Sequence, residues 1–110
     1  GKMEVKKREL ARRAARDGKT EFFAVLSSDL TEEELGAYAL EAYEGQNMEI
    51  FYMAATGLNS QQADLIAERA YEADRTEYIF AVIPRMSEEQ RSTLRERAKK
   101  DGRDELGYLF

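Results

Sequence analysis

Residues of like character return every 28 positions along this chain of 110 residues. With Glu21, Glu49, Glu77 and Glu105 set one above another, the next column reads Phe22, Ile50, Tyr78 and Leu106. Further columns follow without a gap. They read Leu30/Leu58/Met86, Thr31/Asn59/Ser87, Glu34/Gln62/Gln90 and Tyr38/Ile66/Leu94, and then Ala42/Ala70/Ala98, which Ala14 joins as part of a partial leading copy. A fixed interval of this size marks a repeated supersecondary unit. One such unit cannot bury its own apolar face, so the chain is expected to gain its core by stacking neighbouring units.

The second half of each unit reads as a helix. Thr31, Asn59 and Ser87 are helix-capping residue types, and Glu34, Gln62 and Gln90 follow each of them at the spacing of a capping box. Glu32, Glu33, Glu88 and Glu89 fall in the first turn, where the positive end of the helix dipole favours acids. Leu35, Tyr38, Ala39 and Ala42 then make an i, i+3, i+4, i+7 stripe, repeated by Ala63, Ile66, Ala67 and Ala70. Gly45, Asp74 and Gly102 are the expected stops.

The first half is ambiguous. Segments such as EFFAVL at Glu21–Leu26 and EYIFAVI at Glu77–Ile83 carry the β-branched and aromatic residues of a buried strand. That leaves open an α/β repeat with short parallel strands. The spacing favours helix, because Tyr78, Ile79, Val82, Ile83 and Met86 sit at i, i+1, i+4, i+5 and i+8, and Leu58 and Leu30 repeat the last position. The expected fold is therefore all-α: a right-handed array with a leading helix over 2–17, helix–turn–helix repeats over 20–47, 48–75 and 76–103, and a half-repeat over 104–110. Phe22, Phe23, Phe51, Tyr78 and Phe80 are its expected aromatic core.

In period and capping pattern, roughly residues 8–110 resemble the short α-solenoid families, such as HEAT-like and tetratricopeptide-like arrays. The tryptophan, glycine and proline signature of the tetratricopeptide is missing and the period is shorter. More loosely, the chain is similar to the helical repeat tails that follow membrane-embedded peptidase domains in some bacterial antibiotic-sensor proteins, although it has no HExxH. The resemblance implies a module that binds protein rather than an enzyme.

Composition points the same way. There is no cysteine and no histidine, which removes disulfides, thiol nucleophiles, histidine bases and zinc sites of the usual kind. The acidic clusters at Glu32–Glu34 and Glu88–Glu89 are explained by capping and lack the alternating ligands of a calcium loop. No catalytic residue, metal or cofactor is expected. No run approaches the length of a membrane span, and no apolar leader segment is visible, so the chain reads as soluble and cytoplasmic. Gly1 reads as the remnant of a removed tag, which leaves open whether the chain is full length or a piece of a larger protein.

Charge is uneven: residues 1–19 carry a balance of +5, residues 20–90 of −12 and residues 91–110 of +2. Arg8, Arg12, Arg13 and Arg16 could touch nucleic acid or an anionic surface, the alternative to protein binding. The absence of interleaved aromatics and the acidic body argue instead for a solvated outer face, with Val5, Leu10, Ala11 and Ala14 turned inward. Tyr38, Tyr43 and Tyr71 could form a recognition ladder, or else pack between repeats. Leu106, Leu109 and Phe110 end the chain on an incomplete unit, where exposed apolar side chains would promote self-association. The protein partner is not legible.

Overall fold

The computed structural model describes residues 1–110 apart from the side chain at residue 4. Its regular elements are helices α1 (Lys2–Arg16), α2 (Thr20–Ser27), α3 (Glu32–Glu44), α4 (Met48–Ala54), α5 (Ser60–Glu72), α6 (Thr76–Val82), α7 (Glu88–Lys100) and α8 (Asp104–Leu109). Short 3-10 turns follow α4 at Ala55–Gly57 and α6 at Ile83–Arg85. No strand occurs among the described residues, so the strand reading of the short segments is overturned. Among the described residues no helix is long and apolar enough to cross a membrane.

The long helices start where the capping residues stand. Thr31 Oγ1 accepts from the Glu34 amide at 3.1 Å while the Thr31 amide donates to Glu34 Oε1 at 3.0 Å. Asn59 and Gln62 repeat the pair at 2.8 and 2.9 Å. The third copy departs from this scheme. Ser87 Oγ accepts from the Gln90 amide, but the Ser87 amide and hydroxyl both donate to the Asp64 carboxylate, at 2.9 and 2.7 Å. Gln90 Nε2 turns away and donates to the Asp64 carbonyl at 3.2 Å. Half of this capping box has been traded for a tie between α5 and the start of α7.

Each long helix ends in the same turn. The amides of Lys19, Asn47, Arg75 and Arg103 donate to the carbonyls of Ala14, Ala42, Ala70 and Ala98, each at 2.8 Å. The residues just before those donors, Gly18, Gln46, Asp74 and Gly102, have φ of 68, 57, 57 and 74°. This is the Schellman motif, four times over at the 28-residue interval. Gly45, an expected stop, is the C-cap of α3 with φ −82°, and the left-handed residue is its neighbour Gln46.

The apolar residue eight positions into each short segment is not on the helix. Leu58 and Met86 have ψ of 135 and 152°, in extended backbone between the 3-10 turn and the next helix cap, and both are buried. Their spacing was compatible with helix for a different reason: they fill the position just outside the following N-cap. Pro84, in the second 3-10 turn, has no amide to continue α6.

The helices fall into two compact units, residues 1–58 and 59–110. In the first, α1 packs on α2, α3 packs on α4 and the Ala55–Gly57 turn, and α2 touches α4. In the second, α5 packs on α6 and the Ile83–Arg85 turn, and α7 on α8. Packing thus pairs each long helix with the short helix that follows it. The turn after the short helix is fastened differently in the two units. A Cβ on Gly57 would collide with the Glu32 carbonyl, Leu35 Cβ and the amide of buried Gly36, so backbone lies directly on α3. Asp64 stands 28 residues after Gly36, and there a side-chain clasp on Ser87 takes over.

Candidate functional site

Helix α1 buries Ala11 and Ala14, as its sequence pattern requires, but not Val5 and Leu10, which are exposed. Leu10 belongs to the column of Tyr38, Ile66 and Leu94, and the last two are fully covered. On α2 the same contrast holds. Phe23 is fully buried, whereas Phe22, expected in the core, is 65% exposed; Ile50, Tyr78 and Leu106 in its column are all buried. Phe80 is likewise exposed rather than core.

The cause is visible inside the first unit. The Tyr38 and Phe23 rings meet edge to face with their centres 5.4 Å apart, and the Tyr38 hydroxyl donates to the Arg8 carbonyl at 3.3 Å. Ile50 rides on α4, which abuts α2. The α3–α4 hairpin therefore covers these columns by laying them against α1–α2. The equivalent face of α1–α2 is bare, and Met3 and Val25 extend it, 74% and 73% exposed. This strip of Met3, Leu10, Phe22 and Val25 is the candidate site.

Comparison of the chain with models of protein families, with curated proteins and with solved structures finds no match.

The arginines named from the sequence are largely engaged. Arg8 Nε lies 3.2 Å from Glu34 Oε2, and Arg16 Nε lies 3.2 Å from Asp17 Oδ1. Arg12 faces Tyr38, whose phenol is pushed above its ordinary range by burial, with Arg12 opposing. Arg12, Arg16, Tyr38, Glu41 and Asn47 line a cleft of about 440 Å³ between α1 and α3. Asn47 Oδ1 caps α4 by accepting from the Ile50 amide at 3.2 Å, so it is fixed there. Arg13 projects from α1 into solvent.

Two of the three tyrosines offer no surface. Tyr43 is buried with its ring tilted against Phe51 at 6.3 Å. Tyr71 is buried as well, and its hydroxyl donates to Asp101 Oδ2 at 2.5 Å. The Arg103 and Arg97 guanidinium groups lie 4.2 and 4.8 Å from its ring centre. Burial, and then the hydrogen bond to Asp101, raise this phenol above the usual tyrosine range. The tyrosine column is packing, not a recognition ladder.

The end of α8 is closed in part. Leu106 and Phe110 are buried, and only Leu109 of the three expected sticky residues is exposed, beside Tyr108. Arg91 Nε and Arg95 Nη2 donate to the Phe110 carbonyl at 3.2 and 2.7 Å, folding the last residue back onto α7. Column by column, the last hairpin drops its apolar groups: Ala11/Ala39/Ala67 gives way to Arg95, Ala15/Tyr43/Tyr71 to Lys99, and Phe23/Phe51/Ile79 to Gly107. This substitution pattern is written in the sequence and is the signal that could have revealed which end is capped. Among the described residues no three acidic side chains form a metal-binding group.

Proposed function

We propose that this chain is a non-enzymatic helical-repeat module of the α-solenoid kind, which holds another protein against the α1–α2 hairpin. The observation that carries this reading is the bare pair Leu10 and Phe22, whose counterparts Tyr38 and Ile50 in the next hairpin pack against helices. Exposed apolar side chains left in water are a cost that a bound surface removes, at roughly 25 cal/mol per Å² covered. Leu, Phe and Val flanked by charged residues match the composition of an interface centre with a polar rim.

The alternative, binding of nucleic acid or an anionic surface through Arg8, Arg12, Arg13 and Arg16, has less support. Two of these arginines are held in ion pairs and a third lies at Tyr38. The two readings separate in one NMR titration. Protein binding moves the resonances of Leu10, Phe22 and Val25 on addition of an amphipathic helical peptide. Phosphate binding moves those of Arg12, Arg13 and Arg16 on addition of duplex DNA, and fades steeply with salt. Shifts confined to the arginines would refute the proposed function.

A further inference from the structure

We infer that the occupant of the α1–α2 face is an acidic, amphipathic α-helix of another polypeptide, an inference that rests on the protein-binding reading above. Three observations specify the occupant. The shape comes from the register. Leu10 on α1 and Phe22 on α2 hold the positions that Tyr38 and Ile50 hold on α3 and α4, and those are covered by helical neighbours. A helix presenting an i, i+3, i+4, i+7 stripe reproduces that covering.

The charge comes from what surrounds the strip. On the surface of α1, the residues one turn before and after Leu10 include Lys6 and Arg13, both exposed, within a segment whose balance is +5, against single exposed acids at Glu9 beside Leu10 and Glu21 beside Phe22. The opposite flank of α1 already shows what such bases accept. Lys7 Nζ meets Asp29 Oδ2 at 3.2 Å, and Arg8 meets Glu34, both from the acidic stretch that packs beside α1. Carboxylates flanking an apolar stripe would complement Lys6 and Arg13 in the same way.

A second copy of this chain fits poorly. Placing two α1–α2 faces together sets Lys6 and Arg13 against their own counterparts. A head-to-tail arrangement would bring up the last hairpin, where Arg95, Lys99 and Gly107 have replaced the apolar groups used elsewhere and, of the large apolar side chains, only Tyr108 and Leu109 stay exposed.

The test uses the whole chain and three labelled helical peptides with one leucine stripe, flanked by Glu, by Gln or by Lys, read by fluorescence anisotropy. The Glu-flanked peptide is expected to bind about tenfold more tightly than the Gln-flanked one, with the gap closing as salt screens it. Leu10→Ser and Phe22→Ser should each weaken binding about tenfold or more. Both side chains are substantially exposed, so thermal melting should stay near that of the parent, and Val25→Ser provides a second probe of the strip if either variant unfolds. Lys6→Gln with Arg13→Gln should erase the preference for Glu while leaving the affinity for the Gln-flanked peptide, whereas Arg12→Gln should do neither. Equal affinity for the Glu- and Gln-flanked peptides overturns the acidic occupant but leaves protein binding standing. Failure to bind any of the three overturns both. Tighter binding to anionic vesicles or duplex DNA than to the Glu-flanked peptide, or self-association that Phe22→Ser abolishes, assigns the face to another occupant and overturns the inference.

Discussion

The Tyr71 hydroxyl donates to Asp101 Oδ2 at 2.5 Å, and this bond joins the last turn of α5 to the turn that ends α7. Arg103 completes the joint by donating to the Tyr71 carbonyl at 2.9 Å and to Asp74 Oδ1 at 2.7 Å while lying over the Tyr71 ring. Tyr71→Phe removes the hydroxyl but keeps the ring beside its guanidinium groups, and is expected to cost about 1–2 kcal/mol in urea unfolding. Tyr71→Leu removes both interactions and should cost more. The pH dependence has a definite sign. Because the phenol is raised in the folded state, its contribution is complete below the ordinary tyrosine range and is lost as pH climbs through the folded value. The stability gap between the parent and Tyr71→Phe should therefore be flat around neutrality and shrink in alkali. A gap that widens in alkali would contradict the geometry.

Phe22 and Phe23 are adjacent in sequence and opposite in fate. Phe23→Ala empties a fully buried site and is expected to cost about 3–5 kcal/mol, whereas Phe22→Ala removes a largely solvated ring and should cost under about 1 kcal/mol. Paired denaturation curves check this. Equal losses would mean that α2 is turned differently about its axis.

Gln46 occupies a left-handed position that glycine fills in the equivalent turns at Gly18 and Gly102. Gln46→Gly is expected to raise stability by about 0.5–1 kcal/mol, since the strain of a side chain there is relieved. Gly102→Ala is the converse. Nothing lies within 4 Å of the added Cβ, so a loss of about 1–2 kcal/mol in thermal or urea unfolding would isolate the backbone effect.

Glu34 closes the capping box of α3. The Thr31 amide, its strongest influence, holds the carboxylate below the usual glutamate range, with the Thr31 hydroxyl and Arg8 adding to this and burial opposing. A carboxylate depressed in the folded state contributes its stability above the ordinary glutamate value and loses it as pH falls through the folded one. Stability measured from neutral to acid pH should therefore drop more in the parent than in Glu34→Gln, where the amide keeps the cap without a charge to titrate. Parallel curves would show that the box does not act through the carboxylate. Thr31→Ala should cost about 1 kcal/mol at neutral pH.

Gly57→Ala tests the tightest approach in the first unit. The methyl group would meet backbone on α3, and a loss of about 1–3 kcal/mol is expected, with faster amide exchange in the turn at Ala55–Gly57.

Much of the helical framework could be read directly. Thr31, Asn59 and Ser87 cap where their types and spacing place them, and the column of Ala14, Ala42, Ala70 and Ala98 supplies the acceptor carbonyl at each helix end. Other features were obscured because residues of one type serve two purposes. Leu58 and Met86 looked like the last rung of a helical stripe and lie beyond the helix, since a buried position before an N-cap also selects an apolar side chain. Asp64 looked like an ordinary helix-surface acid. Its role emerges only when the chain returns at Ser87, 23 residues later. An incomplete last repeat points to Leu106, Leu109 and Phe110 as exposed, yet Leu106 and Phe110 fold inward there and the bare strip is on α1–α2.

The sequence alone determined where the long helices α3, α5 and α7 begin, because their caps are made by hydrogen bonds between residues three positions apart. Only the tertiary structure decided which members of a column are covered. Leu10 and Leu94, or Phe22 and Ile50, are equivalent to any local rule, and differ solely in whether another helix lies across them. Burial is a property of a neighbour, and the neighbour is not encoded in the residue it covers.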